Sequence, residues 1–195
     1  MPPTHPGDPQ PWQTLESKYL ARKPWLTLRQ DRVRLPGGGL IEEYWVTEYT
    51  PWANVVALTP DRRLVLVRQF RYGLGQVHFE LPAGVCEDGE EPLAAARREL
   101  LEETGYGGGR WRPWLTLAPN PALQNNLQHT FLATGVERLR EPSPEATEEV
   151  VAHLVPVPEA RRIVREGEMI QALHVAPLLK LFLLEAEGRA EELGQ

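Results

Sequence analysis

One cysteine, Cys86, stands alone among 195 residues. No intramolecular disulfide can form, and such a chain suits a reducing cytoplasm. Long apolar runs are also missing. The most apolar stretch, Leu178 to Leu184, is broken by Lys180 and falls far short of the roughly 20 residues that cross a bilayer, so no membrane role is expected. Net positive charge is absent: 21 basic residues stand against 27 acidic ones, a formal charge of −6. That balance argues against nucleic acid as a partner, because phosphate backbones are gripped by basic surfaces. The amino terminus, Met1 to Trp12, has neither the basic start nor the apolar stretch of a signal peptide. It reads as a disordered or loosely attached, Pro-rich arm. Lysine is rare, with three among the 21 basic residues, whereas proline reaches 19. A GC-rich genome and a heat-adapted chain with stiffened loops account for that bias equally well.

What remains is an ordinary globular composition, 42% hydrophobic and 25% charged, in a chain long enough to bury roughly 70% of its unfolded surface. From Trp25 to Tyr49 the alternation of Leu26, Leu28, Val33 and Leu35 with polar neighbours reads as a strand pair, turned at Gly37-Gly38-Gly39. Asn54 to Thr59 and Leu64 to Phe70 are two further strands joined by Pro60-Asp61-Arg62-Arg63. A short strand, Val77 to Leu81, leads into Pro82-Ala83-Gly84. Later strands are expected at Trp114 to Leu117, His129 to Thr134 and Val150 to Val155, and helices at Pro158 to Glu166 and Gln171 to Glu187. This pattern points to an α+β or layered α/β/α domain over residues 51–195, preceded by a small β segment over 13–50 and the arm over 1–12.

The informative stretch runs from Gly84 to Tyr106. Pro92 suits the first turn of a helix, and Glu90 and Glu91 suit its positive end. Gly105 can end it in the left-handed conformation. At ~100° per residue Glu99, Glu102 and Glu103 share one face, while Leu93, Ala96 and Leu100 form an adjoining apolar face. Three carboxylates at this spacing repel one another, and no lysine interrupts them. They are either a solvated acidic surface or the oxygen ligands of a hard divalent cation such as Mg²⁺ or Mn²⁺.

The whole segment resembles the Nudix box, G-x5-E-x7-R-E-U-x-E-E-x-G-U with U a bulky apolar residue. All nine specified positions over 23 residues are met, a far more specific signal than a lone glycine motif. The resemblance implies a Nudix hydrolase: an α/β/α sandwich with a mixed sheet, cleaving nucleoside diphosphates linked to another moiety. It implies Glu99, Glu102 and Glu103 as ligands of Mg²⁺ (or Mn²⁺), with the Ala83 carbonyl beside them. Gly84 and Gly105 would be structural, and Glu90 and Arg98 would form a buried ion pair bracing the motif.

Beyond the box the chain resembles the ADP-ribose pyrophosphatase branch. The resemblance rests on Val67-Arg68-Gln69-Phe70-Arg71 before Glu80-Leu81-Pro82-Ala83-Gly84, on Pro121 placed 15 residues after the box, and on the amino-terminal strands. It implies Arg68, Arg71 and Glu80 as substrate-binding residues, Trp25 stacking on adenine with Tyr44 of the partner subunit opposite it, and a domain-swapped homodimer. A carboxylate from the acidic loop before the last strand, Glu148 or else Glu145, would serve as general base or extra metal contact. The expected reaction is hydrolysis of ADP-ribose to AMP and ribose 5-phosphate. The alternatives are other nucleoside diphosphate substrates, among them GDP-mannose and FAD, or a ligand sensor that does not cleave. The five histidines have no zinc spacing, and Gly105 to Gly109 lacks the Lys-Ser/Thr pair of a phosphate loop. His78 at most lines the pocket.

Overall fold

A computed structural model describes residues 5–144 and 149–189. The chain divides into two compact units: residues up to Tyr49 together with Asn120–Asn126, and Thr50–Pro119 together with Leu127 onward.

The first unit is a three-stranded antiparallel sheet, β1 (Gln13–Lys23), β2 (Leu26–Arg34) and β3 (Leu40–Glu48), in that order. Gly38 at φ 86° lets the β2–β3 turn close, with the Leu35 amide donating to the Gly39 carbonyl at 2.8 Å. Two sequence expectations change here. The strand pair is a triplet, because β1 is also present; only Leu15 and Ala21 of β1 are even half-buried, so it carries no alternating pattern to read. Trp25 sits in the Pro24-Trp25 turn and not on a strand. The segment Asn120–Asn126, which contains Pro121, is tied to β3. The Thr47 amide donates to the Leu123 carbonyl at 2.7 Å and the Tyr44 hydroxyl to the Ala122 carbonyl at 2.6 Å.

The second unit contains β4 (Trp52–Leu58), β5 (Arg63–Arg71), β6 (Gln76–Glu80), β7 (Ala83–Val85), α1 (Pro92–Thr104), β8 (Tyr106–Gly107) and β9 (Arg110–Leu117). It continues with β10 (Gln128–Thr134), β11 (Glu137–Arg138), β12 (Val150–Pro156), α2 (Val157–Arg165) and α3 (Ala172–Ala186). Seven of these strands form one mixed sheet in the order β12-β5-β4-β10-β9, with β6 on β5 and β7 on β4. Only β4 and β10 run parallel. Pro113 is tolerated in β9 because that strand lies at the sheet edge.

Both faces of the sheet are covered, as the unbroken apolar run Val55–Leu58 of β4 requires. Val55 and Ala57 turn toward Leu100 of α1, and Ala53 toward Ala95 and Ala96. Val56 and Leu58 turn the other way, onto Ala160 and Ile163 of α2 and Leu178 and Leu181 of α3. The α/β/α layering is thus present. Inside α3, Pro177 has no amide hydrogen for the Leu173 carbonyl one turn earlier. The side-chain amides of Asn54 and Gln128 replace it, at 3.0 and 3.1 Å. Among the described residues no helix is long and apolar enough to cross a membrane.

One feature of the sheet positions the site. β4 and β5 pair with each other only at Ala57–Val65 and Leu58–Leu64. Past that point β5 pairs with β6 and β4 with β7. The three-residue step from Glu80 at the end of β6 to Ala83 at the start of β7 crosses this gap, held by the Val55 amide on the Pro82 carbonyl at 3.1 Å.

Candidate active site

α1 is the element that carries the acidic residues, and it forms as the sequence predicts. Pro92 opens it, and Gly105 ends it at φ 75° with its amide on the Leu101 carbonyl at 3.0 Å. Ala95, Ala96 and Leu100 are buried against the sheet. The acidic face does not look outward. Glu99 is 8% exposed and Glu103 3%, which disposes of the solvated-surface reading, since a buried carboxylate needs partners.

Those partners come from the loop and from α1 itself. The Ala83 amide donates to Glu103 Oε2 at 3.1 Å. Arg98 donates through one terminal nitrogen to Glu99 at 2.7 Å and to Glu102 at 3.2 Å. Its Nε and other terminal nitrogen grip Glu90 at 3.1 and 3.0 Å, and the latter also reaches the Val85 carbonyl at 3.0 Å. The guanidinium fork therefore joins the loop to three acidic side chains. The Glu90–Arg98 pair exists as expected, but it is half-buried, because the loop lies on the rim of the domain. Arg98's hydrogen bonds hold the Glu90 carboxyl below its usual range and raise the guanidinium's own pKa further. Glu90 also accepts the Glu87 amide at 3.0 Å, which closes the loop.

Gly84 is placed by this geometry. A Cβ there would lie 2.0 Å from Glu99 Oε1, so the missing side chain is what admits the carboxylate to the loop backbone. The donor set fits a hard divalent cation: oxygen atoms only, crowded on one helix face beside a bare backbone. With the carboxylates turned to Arg98 and to the Ala83 amide, no three acidic, histidine or cysteine side chains among the described residues converge as a metal cage.

On the β6 side of the gap stands a second polar group. Arg71 holds Glu80 in a fork, Nε to Oε1 at 2.8 Å and a terminal nitrogen to Oε2 at 2.6 Å. Glu80 is 1% exposed. Burial by itself would raise its pKa, yet Arg71's hydrogen bonds and the surrounding charges keep the carboxyl below its ordinary value. Arg68 is exposed, its guanidinium 5.0 Å from the Phe79 ring centre. The structure thus brings Glu99, Glu102, Glu103, Ala83 and Gly84 together, with Arg98 among them, and pairs Arg71 with Glu80. Trp25 and Tyr44 belong to the other compact unit, where Trp25 is 82% exposed and Tyr44 meets Trp12 edge-on at 5.8 Å. Glu145 and Glu148 lie outside the described residues. Sequence reasoning did not single out His174, whose Nε2 lies 3.5 Å from Glu80 Oε2. No local signal marks it, since it sits 93 residues along the chain from the Leu81 amide that it accepts.

A layered sandwich presenting crowded, backbone-cradled carboxylates next to an arginine fork defines a hydrolase of phosphoanhydride bonds. Comparison with known proteins gives the family. A model described as NUDIX domain matches residues 48–174, and one described as nucleoside diphosphate sugar hydrolase N-terminal domain matches residues 12–46. The chain belongs to the Nudix family and hydrolyses pyrophosphate bonds in nucleoside diphosphate compounds, a chemistry for which Nudix enzymes generally use divalent metal ions. An ADP-ribose pyrophosphatase of Mycobacterium tuberculosis is 31% identical over 170 residues, 86% of this chain and 82% of the relative. One from Bacillus subtilis is 29% identical over 180 residues, 89% of this chain and 97% of the relative. A crystal structure of an ADP compounds hydrolase shares the fold, with a TM-score of 0.80 at 20% identity, over 93% of this chain and 98% of that one.

Proposed function

We propose that the chain is an ADP-ribose pyrophosphatase that uses Mg²⁺, with Mn²⁺ as a substitute, and releases AMP and ribose 5-phosphate. The observation that carries this reading is the burial of Glu99 and Glu103 against the Gly84 loop. Two relatives that cover most of the chain have this activity. Glu99, Glu102, Glu103 and the Ala83 carbonyl hold the ion. When bound, it neutralises the diphosphate and lowers the pKa of water to supply the nucleophile. Arg71 takes the phosphates or the terminal ribose, and Arg68 supplements the positive charge. Glu80 acts by orienting Arg71. Glu148, or else Glu145, removes the proton from the attacking water or contacts the metal. Water adds to one phosphorus, the bridging P–O bond breaks, and the proton leaves with the base. No covalent intermediate is needed, so positioning and electrostatics supply the acceleration.

Trp25 and, from the opposite side, Tyr44 of the partner subunit stack on the adenine. The first sheet pairs two copies into a domain-swapped homodimer, a role that suits the exposed Trp12, Tyr19, Leu20, Leu26 and Trp45. The enzyme works in the cytoplasm.

A second reading, hydrolysis of nucleotide sugars such as GDP-mannose, is favoured by the match of residues 12–46 to the nucleoside diphosphate sugar hydrolase segment. A turnover panel decides between them: ADP-ribose, GDP-mannose, UDP-glucose, FAD and NADH, each with Mg²⁺ or Mn²⁺. ADP-ribose should lead in kcat/KM by at least roughly tenfold. Equal turnover of all five defeats the assignment.

A further inference from the structure

The buried side of the Arg71–Glu80 pair is occupied by two imidazoles, His78 and His174, both shielded from water. Each Glu80 oxygen takes one N–H from Arg71 and faces one ring: Oε1 is 3.6 Å from His78 Nε2, and Oε2 is 3.5 Å from His174 Nε2. The two rings are not equivalent. His174 Nδ1 accepts the Leu81 amide at 2.9 Å, so the proton of the neutral ring sits on Nε2 and its dipole points at Glu80. Burial pushes this imidazole down to about 4, which keeps it neutral at physiological pH. His78 Nε2 has no hydrogen-bond partner among the described residues.

The backbone that carries His174 is held as firmly as its ring. The Leu173 carbonyl, deprived of a helical partner by Pro177, is held by Asn54 and Gln128 from the sheet. His174 is thus fixed to the central strands at one end and to the entrance of the Gly84 loop at the other.

The geometry points to His174 as a positioning residue for Arg71. Its Nε2 faces the Glu80 carboxylate at 3.5 Å, a long dipolar contact that biases the orientation in which Glu80 presents the Arg71 guanidinium to the anionic substrate. This inference rests on Arg71 being a substrate-binding residue. His174 touches no reacting atom, and its effect belongs in substrate affinity and not in the chemical step. A helix residue far from the box would then set how well the phosphate-facing arginine is preorganised.

The test uses the intact enzyme with ADP-ribose and Mg²⁺. His174→Asn keeps an acceptor near Nδ1 for the Leu81 amide but has nothing at Nε2. His174→Gln keeps a donor that reaches Glu80. H174N is expected to raise KM about five- to tenfold with kcat within about twofold, while H174Q stays within about twofold in KM. On an Arg71→Ala background, which by itself raises KM, H174N should add less than about twofold, because the group it orients is gone. Should H174N fail to fold by circular dichroism, a normal KM in H174Q still supports the role, and a KM in H174Q as poor as in R71A overturns it. A raised KM in R71A together with an unchanged KM in H174N, or with full additivity of the two, overturns the role of His174 and leaves Arg71's assignment standing. An unchanged KM in R71A removes the premise and the inference with it.

Discussion

The Cα of Gly84 and the carboxylate of Glu99 lie so close that a methyl group on residue 84 would stand 2.0 Å from Oε1 and 2.2 Å from Cδ of Glu99. The contact is with the end of a side chain, so the chain can absorb an alanine by turning Glu99 away. The fold then survives while the placement of Glu99 against the loop does not. Gly84→Ala is expected to melt within a few degrees of wild type and to lose kcat by roughly ten- to a hundredfold, with weaker Mg²⁺ activation. Thermal melts and metal titrations of activity measure both halves. A variant that melts normally and is fully active would detach Glu99 from the site.

Glu103 accepts the Ala83 amide, a bond that the carbonyl oxygen of a glutamine can also accept. Glu103→Gln should therefore fold and bind substrate but lose kcat by at least roughly a hundredfold. Chelation of divalent ions should abolish wild-type turnover, and restored Mg²⁺ should recover it. Unchanged activity in E103Q removes that residue from the catalytic set.

Arg98 separates carboxylates that would otherwise repel each other, and it joins α1 to the loop. Arg98→Ala leaves Glu90, Glu99 and Glu102 without their shared cation and should cost about 2 kcal/mol of stability. Saturating Mg²⁺ should then raise the melting temperature of the variant by more than it raises that of wild type, since the ion takes over part of the neutralisation. An equal shift in both proteins argues that the ion binds elsewhere.

Gly105 combines a left-handed backbone, φ 75°, with a space that a Cβ would fill at 2.1 Å from the Arg140 carbonyl oxygen. That obstacle is backbone and cannot swing aside as Glu99 can. Gly105→Ala should therefore cost more stability than Gly84→Ala, about 2–4 kcal/mol. Urea unfolding of the two variants side by side provides the comparison.

His174 predicts an acid sensitivity. Its folded pKa, about 4, lies below the ordinary 6.5, so between these values the unfolded chain binds the extra proton. The neutral ring's contribution is complete above pH ~6.5 and disappears as pH falls through about 4, on the order of 3 kcal/mol. His174→Gln should flatten the fall in stability between pH 6.5 and 4. An unchanged profile would falsify a neutral, buried His174.

The parts of this protein that local physics determines were legible in order. The α1 helix is one: Pro92 opens it, Gly105 closes it, and Leu100 and Ala96 mark its apolar side. The spacing of Glu99, Glu102 and Glu103 depends only on helix pitch and is equally visible. The central strands announce themselves by runs such as Val55 to Leu58, apolar without alternation because both faces are covered. By contrast β1, with polar residues on both faces, offers no period to detect.

Sequence by itself determined the family, the box and the helix face that gathers Glu99, Glu102 and Glu103, because each is written within a few turns of chain. Tertiary structure decided whether those acids face water or the interior. It also decided that Arg98 reaches Glu90, Glu99 and Glu102 at once and that Glu80 lies between Arg71 and a histidine brought from the far end of the domain. The histidine contact joins residues many tens of positions apart, and it exists only once the sheet and its two helical layers have closed around it.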